Sequence, residues 1–482
     1  MSRDYQDVLI YFDMPGGGTH GIGFMRKAQH VLGRITPDLI EKPNNFLDFR
    51  GGASVTALIQ TALSVPHEGG ALTSVGVIDE AVSPRYSFNE VAKLLEDHIP
   101  FWLPNKDWKM HYVEQILKRP FTASARALEG LTRRFFVTGA QTYDEAKEQV
   151  EYLRELWEAY SKQKKSHGNL EHTSEALKIL EDIAKEMGFD VKDKSKKEKK
   201  KSKPWSVRHS HKLNEFVLKH YMKEHTFVES AGSYVVNGYK IGPDEQSDMD
   251  LLHIDPKLFE RFPAQDNHSA DSQKELLRLS SFSDNEKLYA AALGATAVPS
   301  YFDSYNLKAV NAHLVDQALI NNPSHNMILL RHAFPKARII YIKVGGAVDR
   351  SPIAPHEYRE ESVIGLVAKG HIANPAQIKQ LQQQRLSAER LFGKENVFFL
   401  IDGLDQVMKP PKMDIAITDG RKVALEKIKS VTDETIAINP EIYDRLTDTL
   451  AGVFQARTAA RADAAFSTRV ARTEPEPEPV AF

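Results

Sequence analysis

The chain has 482 residues, with 63 Lys and Arg against 65 Asp and Glu and a formal net charge of −2, so it can bury at least one large core and carries no overall charge that demands nucleic acid. It contains no cysteine, which excludes disulfides, thiol nucleophiles and thiolate metal sites. The start "MSRDYQDVLIYF" is acidic where a cleaved signal needs basic residues, and no stretch approaches ~18 consecutive apolar residues; this predicts a cytoplasmic or peripheral membrane protein, or one exported without a cleaved signal peptide.

The first hundred residues alternate strand and helix signals. "DVLIYFDM" is a short apolar run that stops at Pro15 and three glycines, as a central strand does. "GIGFMRKAQHVLGRI" has helical spacing, "NFLDFRGG" reads as a second strand containing Asp48, and "SVTALIQTALS" as an Ala/Leu-rich helix. Alternation of this kind predicts an α/β fold with a parallel sheet covered on both faces. From about residue 85 to 225 the sequence turns long, charged and helical, with a helical hairpin expected around Val150–Tyr160 and the segment after it. The run Lys192–Lys203 that follows reads as a solvated linker, or as a contact with an anionic membrane surface. Phe101, Trp102 and Trp108 read as ordinary packing, with an interfacial lip as the alternative. Sheet-like sequence resumes in "HTFVESAGSYVVNGYKI" and "ARIIYIKVGGA". Residues 351–470 form a smaller C-terminal region of unassigned role, with one strong helix, a strand "NVFFLIDG" and a final Ala/Arg-rich helix. Residues 471–482 alternate Glu and Pro and are expected to be disordered.

Three separated motifs carry chemistry. "GGGTHG", Gly16–Gly21, follows a strand and opens a helix, so its closely spaced amides could hold a pyrophosphate or a developing oxyanion. A dinucleotide site needs a carboxylate at the tip of the second strand, whereas that strand ends in "RGGAS". "GGASVTAL" places Ser54 at a strand-to-helix turn, two residues after Gly52, with Thr56 where a G-x-S-x-G elbow closes on glycine. The bland reading of Ser54 is a helix N-cap. "LVDQALINNP" places Asp316 at the end of an extended segment before an Asn-Asn-Pro loop, a candidate general base. Asp402 and Asp419 are rivals in Asp-Gly pairs. His20, His313 and His325 leave a histidine base open. No ligand spacing suggests a metal, and no cofactor is expected.

In their order, the glycine loop, the elbow and the "AAALGATAVPSYF" to "LVDQALINNP" segment resemble the patatin-like phospholipases, over residues 7 to about 347. The resemblance implies a three-layer α/β/α domain over residues 1–350, interrupted by the helical, Lys-rich insertion. It also implies lipid acyl hydrolysis, of the phospholipase A type, by a Ser54/Asp316 dyad without an intervening histidine. Gly16, Gly17, Gly18 and Thr19 would form the oxyanion hole, and the substrate would be a membrane phospholipid or another lipid ester; separately, the absence of cysteine and the Glu/Pro tail are compatible with an exported chain that a protein activator switches on. This chain departs from the family pattern at His20, where arginine or lysine is usual, at Thr56, and at Gln317 and Ala318, which follow the aspartate in place of glycines. Those departures motivate the alternative of a catalytically impaired lipid- or protein-binding module. Dinucleotide binding is the third reading. Beside the elbow serine, a β-branched Thr56 is expected to push the helix away from the strand or to strain the turn.

Overall fold

The computed structural model describes residues 7–67, 84–102, 221–242, 247–298, 304–317, 324–345, 373–401 and 422–473, with positions 215, 218, 219 and 302. Its strands are β1 (Val8–Met14), β2 (Phe49–Ala53), β3 (Ser233–Ile241), β4 (Ser247–His253), β5 (Tyr305–Leu307), β6 (Ala312–Val315), β7 (Arg338–Val344) and β8 (Val397–Leu400). The longer helices are α1 (Gly21–Ile35), α2 (Val55–Ala62), α3 (Phe88–Trp102), α4 (Asn267–Ser283), α5 (Leu288–Ala295), α6 (Ser324–Ala333), α7 (Ala373–Phe392), α8 (Lys422–Ile438) and α9 (Pro440–Thr473).

All eight strands form one sheet in the order β5-β6-β3-β2-β1-β7-β8, with β4 paired to β3. Its centre is parallel and the β3-β4, β3-β6 and β5-β6 pairs are antiparallel. Every residue of β1 is buried, which is what a central strand covered on both faces requires of its sequence. Because side chains alternate along a strand, Val8, Ile10, Phe12 and Met14 enter one core with Leu32 of α1, Leu58 of α2, Leu293 of α5, Ile428 of α8 and Leu446 of α9. Leu9 and Tyr11 enter the other, with Leu276 of α4, Leu330 of α6 and Phe392 of α7. The α/β class with helices on both faces is therefore present as the alternation predicts.

Two boundaries differ from the sequence reading. Asp48 does not lie within the second strand: β2 starts at Phe49, and the Asp48 carboxylate accepts the Ile10 N–H at 2.7 Å and pairs with Arg457 at 2.6 Å and with Arg261. It sits at the end of the strand remote from the glycine loop, engaged by two guanidinium groups. The final helix includes residues 471–473, which the sequence reading places in the Glu/Pro tail.

The smaller region expected after residue 350 shares the core of the domain before it. β8 extends the sheet beside β7, and α8 and α9 cover α1. The approach is close: a Cβ added to Gly23 would lie 2.7 Å from Thr432 Oγ1, and Arg34 reaches Asp444 at 2.6 Å. The expected insertion begins as helix α3, which contains Phe101 and Trp102. The helical hairpin, Lys192–Lys203 and Trp108 lie outside the described residues, as do Ala318, the Asn-Asn-Pro loop, Asp402, Asp419 and residues 474–482. Among the described residues, no helix is long and apolar enough to cross a membrane.

Candidate active site

Ser54 joins β2 to α2 with φ 57° and ψ −136°, a backbone region that a non-glycine residue occupies at a cost of about 1–3 kcal/mol. It stands at the N-cap position of α2, yet its side chain makes no capping hydrogen bond. A serine recruited to cap a helix would use extended backbone geometry and spend its hydroxyl on a free amide. Ser54 does neither, so the N-cap reading loses its physical basis. What remains is a sharp strand-to-helix turn that presents an oxygen at the carboxyl end of a parallel sheet.

The glycines around this turn are needed for space. A Cβ on Gly52 would lie 2.6 Å from the backbone oxygen of Thr56, so the strand entering the elbow must pass bare under the helix leaving it. The loop Gly16–Gly18 follows β1 and packs on the elbow. A Cβ at Gly16 would meet Ser54 Cβ at 2.8 Å, one at Gly17 would meet the Phe24 ring at 2.5 Å, and one at Gly21 would meet Val55 Cγ1 at 2.8 Å. Gly18 has φ 53°, the left-handed region glycine enters freely, and opens a short 3₁₀ turn in which the His20 N–H donates to the Gly17 carbonyl at 3.0 Å. Thr19 and His20 are buried in that turn and lead directly into α1. Gly16→Ala should therefore force loop and elbow apart; the rate of labelling of Ser54 by a serine-reactive fluorophosphonate is expected to fall by about 10²-fold, as misplacement of a catalytic group by ~1 Å does.

Sheet register directs the end of β6 toward the elbow. Each strand has two hydrogen-bonding edges, and β4 occupies one edge of β3 from Tyr234 to Lys240. β2 and β6 share the other: Ala53 pairs with Asn237, and Val315 pairs with Tyr239. β2 runs parallel to β3 and β6 antiparallel, so the two registers, each continued by one residue, direct Ser54 and Asp316 toward the same station beside Gly238. Two chains cannot continue through one place. Ser54 turns off into α2, and Asp316 turns away with its N–H donating to the Ala297 carbonyl at 3.0 Å. Both side chains belong to buried residues, at 6% exposure each.

Thr56 and Gln317 each make defined hydrogen bonds. Thr56 is fully buried; its Oγ1 accepts the Ala53 N–H at 2.9 Å and lies 2.6 Å from the carbonyls of both Met14 and Ala53. α2 starts at once after Ser54 and the Thr56 hydroxyl fits between strand ends, while the turn beside it carries the strained backbone of Ser54. Gln317, beside Asp316, donates through Nε2 to Asp248 of β4 at 2.7 Å. Asp250, two residues on and on the same face, accepts from Asn237 at 2.6 Å and from Asn326 of α6 at 3.2 Å, and burial pushes its carboxyl above the ordinary carboxylate range. Sequence reasoning missed this row. Its only signal was the acidic alternation in "SDMDLLH".

Other candidates are placed elsewhere. His313 faces Ser304 across the β5-β6 pair, with its Nδ1 3.1 Å from the hydroxyl, and His325 is exposed near the start of α6. His20 remains in the glycine loop. Below the elbow, Arg50 is fully buried and donates to Ser64 Oγ at 2.7 Å, to Gln60 Oε1 at 3.2 Å and to the Ala231 carbonyl at 3.2 Å, fastening β2 to the far end of α2. Burial pushes its guanidinium down to about 10, so it still carries its charge at neutral pH. Among the described residues, no group of three or more His, Asp or Glu is placed to hold a metal ion.

Neither a protein-family model nor a curated protein matches this chain by sequence.

Proposed function

We propose that the chain is a serine acyl hydrolase acting on lipid esters through a Ser54/Asp316 dyad. The observation that carries this reading is the positive-φ, uncapped Ser54 at the end of β2, pressed against Gly16. Ser54 Oγ attacks the ester carbonyl while Asp316 takes its proton; the carbonyl oxygen becomes negative beside amides of the Gly16–Thr19 loop, which need no reorganisation to receive it. Collapse of the tetrahedral intermediate breaks the ester C–O bond, Asp316 returns the proton to the leaving alcohol, and an acyl-serine remains. Water then repeats the attack with the same proton route and frees the acid. The N-terminus of α2, which begins directly after Ser54, adds a favourable dipole for negative charge.

The glycerophospholipid substrate and the patatin-like assignment rest on the motif resemblance, and the association with a lipid surface follows from them. A two-step experiment separates reaction from substrate. A fluorophosphonate probe should modify Ser54, read by peptide mass spectrometry, and vesicles of mixed zwitterionic and anionic glycerophospholipids should then release free fatty acid. Modification without fatty acid release would retain the acyl hydrolase and reject the phospholipid. Absence of modification would favour the non-catalytic binding module.

A further inference from the structure

We propose that Thr56 is a positioning residue for the oxyanion loop, a role that rests on the acyl hydrolase reading above. Met14 is the last residue of β1 and Gly16 follows it after a single proline; Ala53 is the last residue of β2 and Ser54 follows it directly. The relative height at which these two strands end therefore sets where the loop amides stand with respect to Ser54 Oγ. Thr56 lies on the first turn of α2, and its hydroxyl meets both ends at once, accepting the Ala53 N–H at 2.9 Å with the Met14 carbonyl 2.6 Å away.

A hydroxyl has one proton, so it donates to the Met14 or the Ala53 carbonyl at any instant while its lone pair receives the amide. In either state one side chain touches the strand feeding the loop, the strand feeding the nucleophile and the helix leaving it. Thr56 is fully buried, so water has no ready access to replace these bonds. A glycine at this position, as in the usual elbow, supplies no such bridge. Here the loop is registered to the nucleophile by a side chain.

Since the loop amides act on charge that develops only in the transition state, loss of this register should lower kcat and leave KM nearly unchanged. The test uses the full chain with p-nitrophenyl butyrate, the fluorophosphonate labelling rate of Ser54, and thermal melting by circular dichroism. Thr56→Val keeps the shape and removes the hydroxyl; a fall in kcat of about 10–100-fold is expected, with a parallel fall in labelling. Thr56→Ser keeps the hydroxyl and should stay within about threefold of the unaltered chain. A valine variant with unchanged kcat, or a serine variant as impaired as valine, overturns the role. Should Thr56→Val fail to fold, Thr56→Ala decides, measured below its melting temperature: an impaired alanine beside an active serine supports the bridge, and an alanine at full kcat rejects it. If the unaltered chain neither labels nor turns over ester, the acyl hydrolase reading fails first and takes this role with it. An active chain indifferent to Thr56 removes the positioning role alone.

Discussion

Asp316→Asn is expected to lower the kcat of ester hydrolysis by about 10²–10⁴-fold, the usual contribution of a general base. Asparagine has the shape of aspartate and leaves the backbone bond from residue 316 to Ala297 in place, so the substitution removes proton-accepting capacity with little change in packing. The effect should be large because His313 is turned to Ser304, and Asp248 and Asp250 are engaged by Gln317, Asn237 and Asn326. Ser54→Ala supplies the reference, since it removes the nucleophile itself. A double variant should be no slower than Ser54→Ala alone, as residues acting in one step are not additive. Steady-state hydrolysis of p-nitrophenyl butyrate by the three variants checks this. An Asp316→Asn chain with near-normal kcat would remove Asp316 from the mechanism and return attention to His20.

Much of this site was legible because its residues act locally. Gly17 and Gly52 are required by contacts with groups near in sequence and Gly18 by a positive φ, and Ser54 sits where a strand signal meets a helix signal; the contact of Gly16 with Ser54 is the long-range exception. Asp316 was legible only as an extended segment ending before a loop; the direction of β6 toward the elbow depends on which edge of β3 is left open by β4, which no local pattern states. The hydrogen bonds of Thr56 were hidden for a related reason. Its sequence identity announces β-branched bulk, while its use depends on a carbonyl 42 positions earlier that only the β1-β2 pairing brings near. Gln317 likewise reads as a lost glycine until Asp248, 69 positions away, is seen to receive its amide. The C-terminal helices carried no chemical motif, so their part in the core, through packing on α1 and through Arg457 at Asp48, had no sequence signature at all.

The largest stability effect is expected on the opposite face of the sheet, where Asp13 of β1 meets Lys343 of β7 at 2.6 Å with almost no exposure of either side chain. The two residues are direct partners in the parallel register, and the Tyr341 hydroxyl donates to the same carboxylate oxygen at 2.8 Å. Burial, reinforced by the Asp13 charge, pushes the Tyr11 and Tyr341 hydroxyls well above the ordinary phenol range, so both stay protonated, and that of Tyr341 donates to Asp13. The attraction between Asp13 and Lys343 has to offset two large desolvation costs, so the pair as a whole adds little net stability. Breaking it is another matter. Lys343→Met leaves a buried carboxylate facing the neutral Tyr341 hydroxyl and should cost about 3–5 kcal/mol, read as a lower urea midpoint at unchanged m-value. Adding Asp13→Asn to that variant removes the stranded charge and should recover most of the loss. The single variants alone cannot separate a lost attraction from a stranded charge; the double variant can. If the double variant is as unstable as Lys343→Met, the loss lies in packing at the carboxyl ends of β1 and β7. Because Asp13 stands three residues before Gly16, the same series followed by fluorophosphonate labelling shows whether this pair also holds the glycine loop: labelling that recovers with stability assigns it to folding alone, and labelling that stays slow in the stable double variant assigns the ion pair a share in placing the loop.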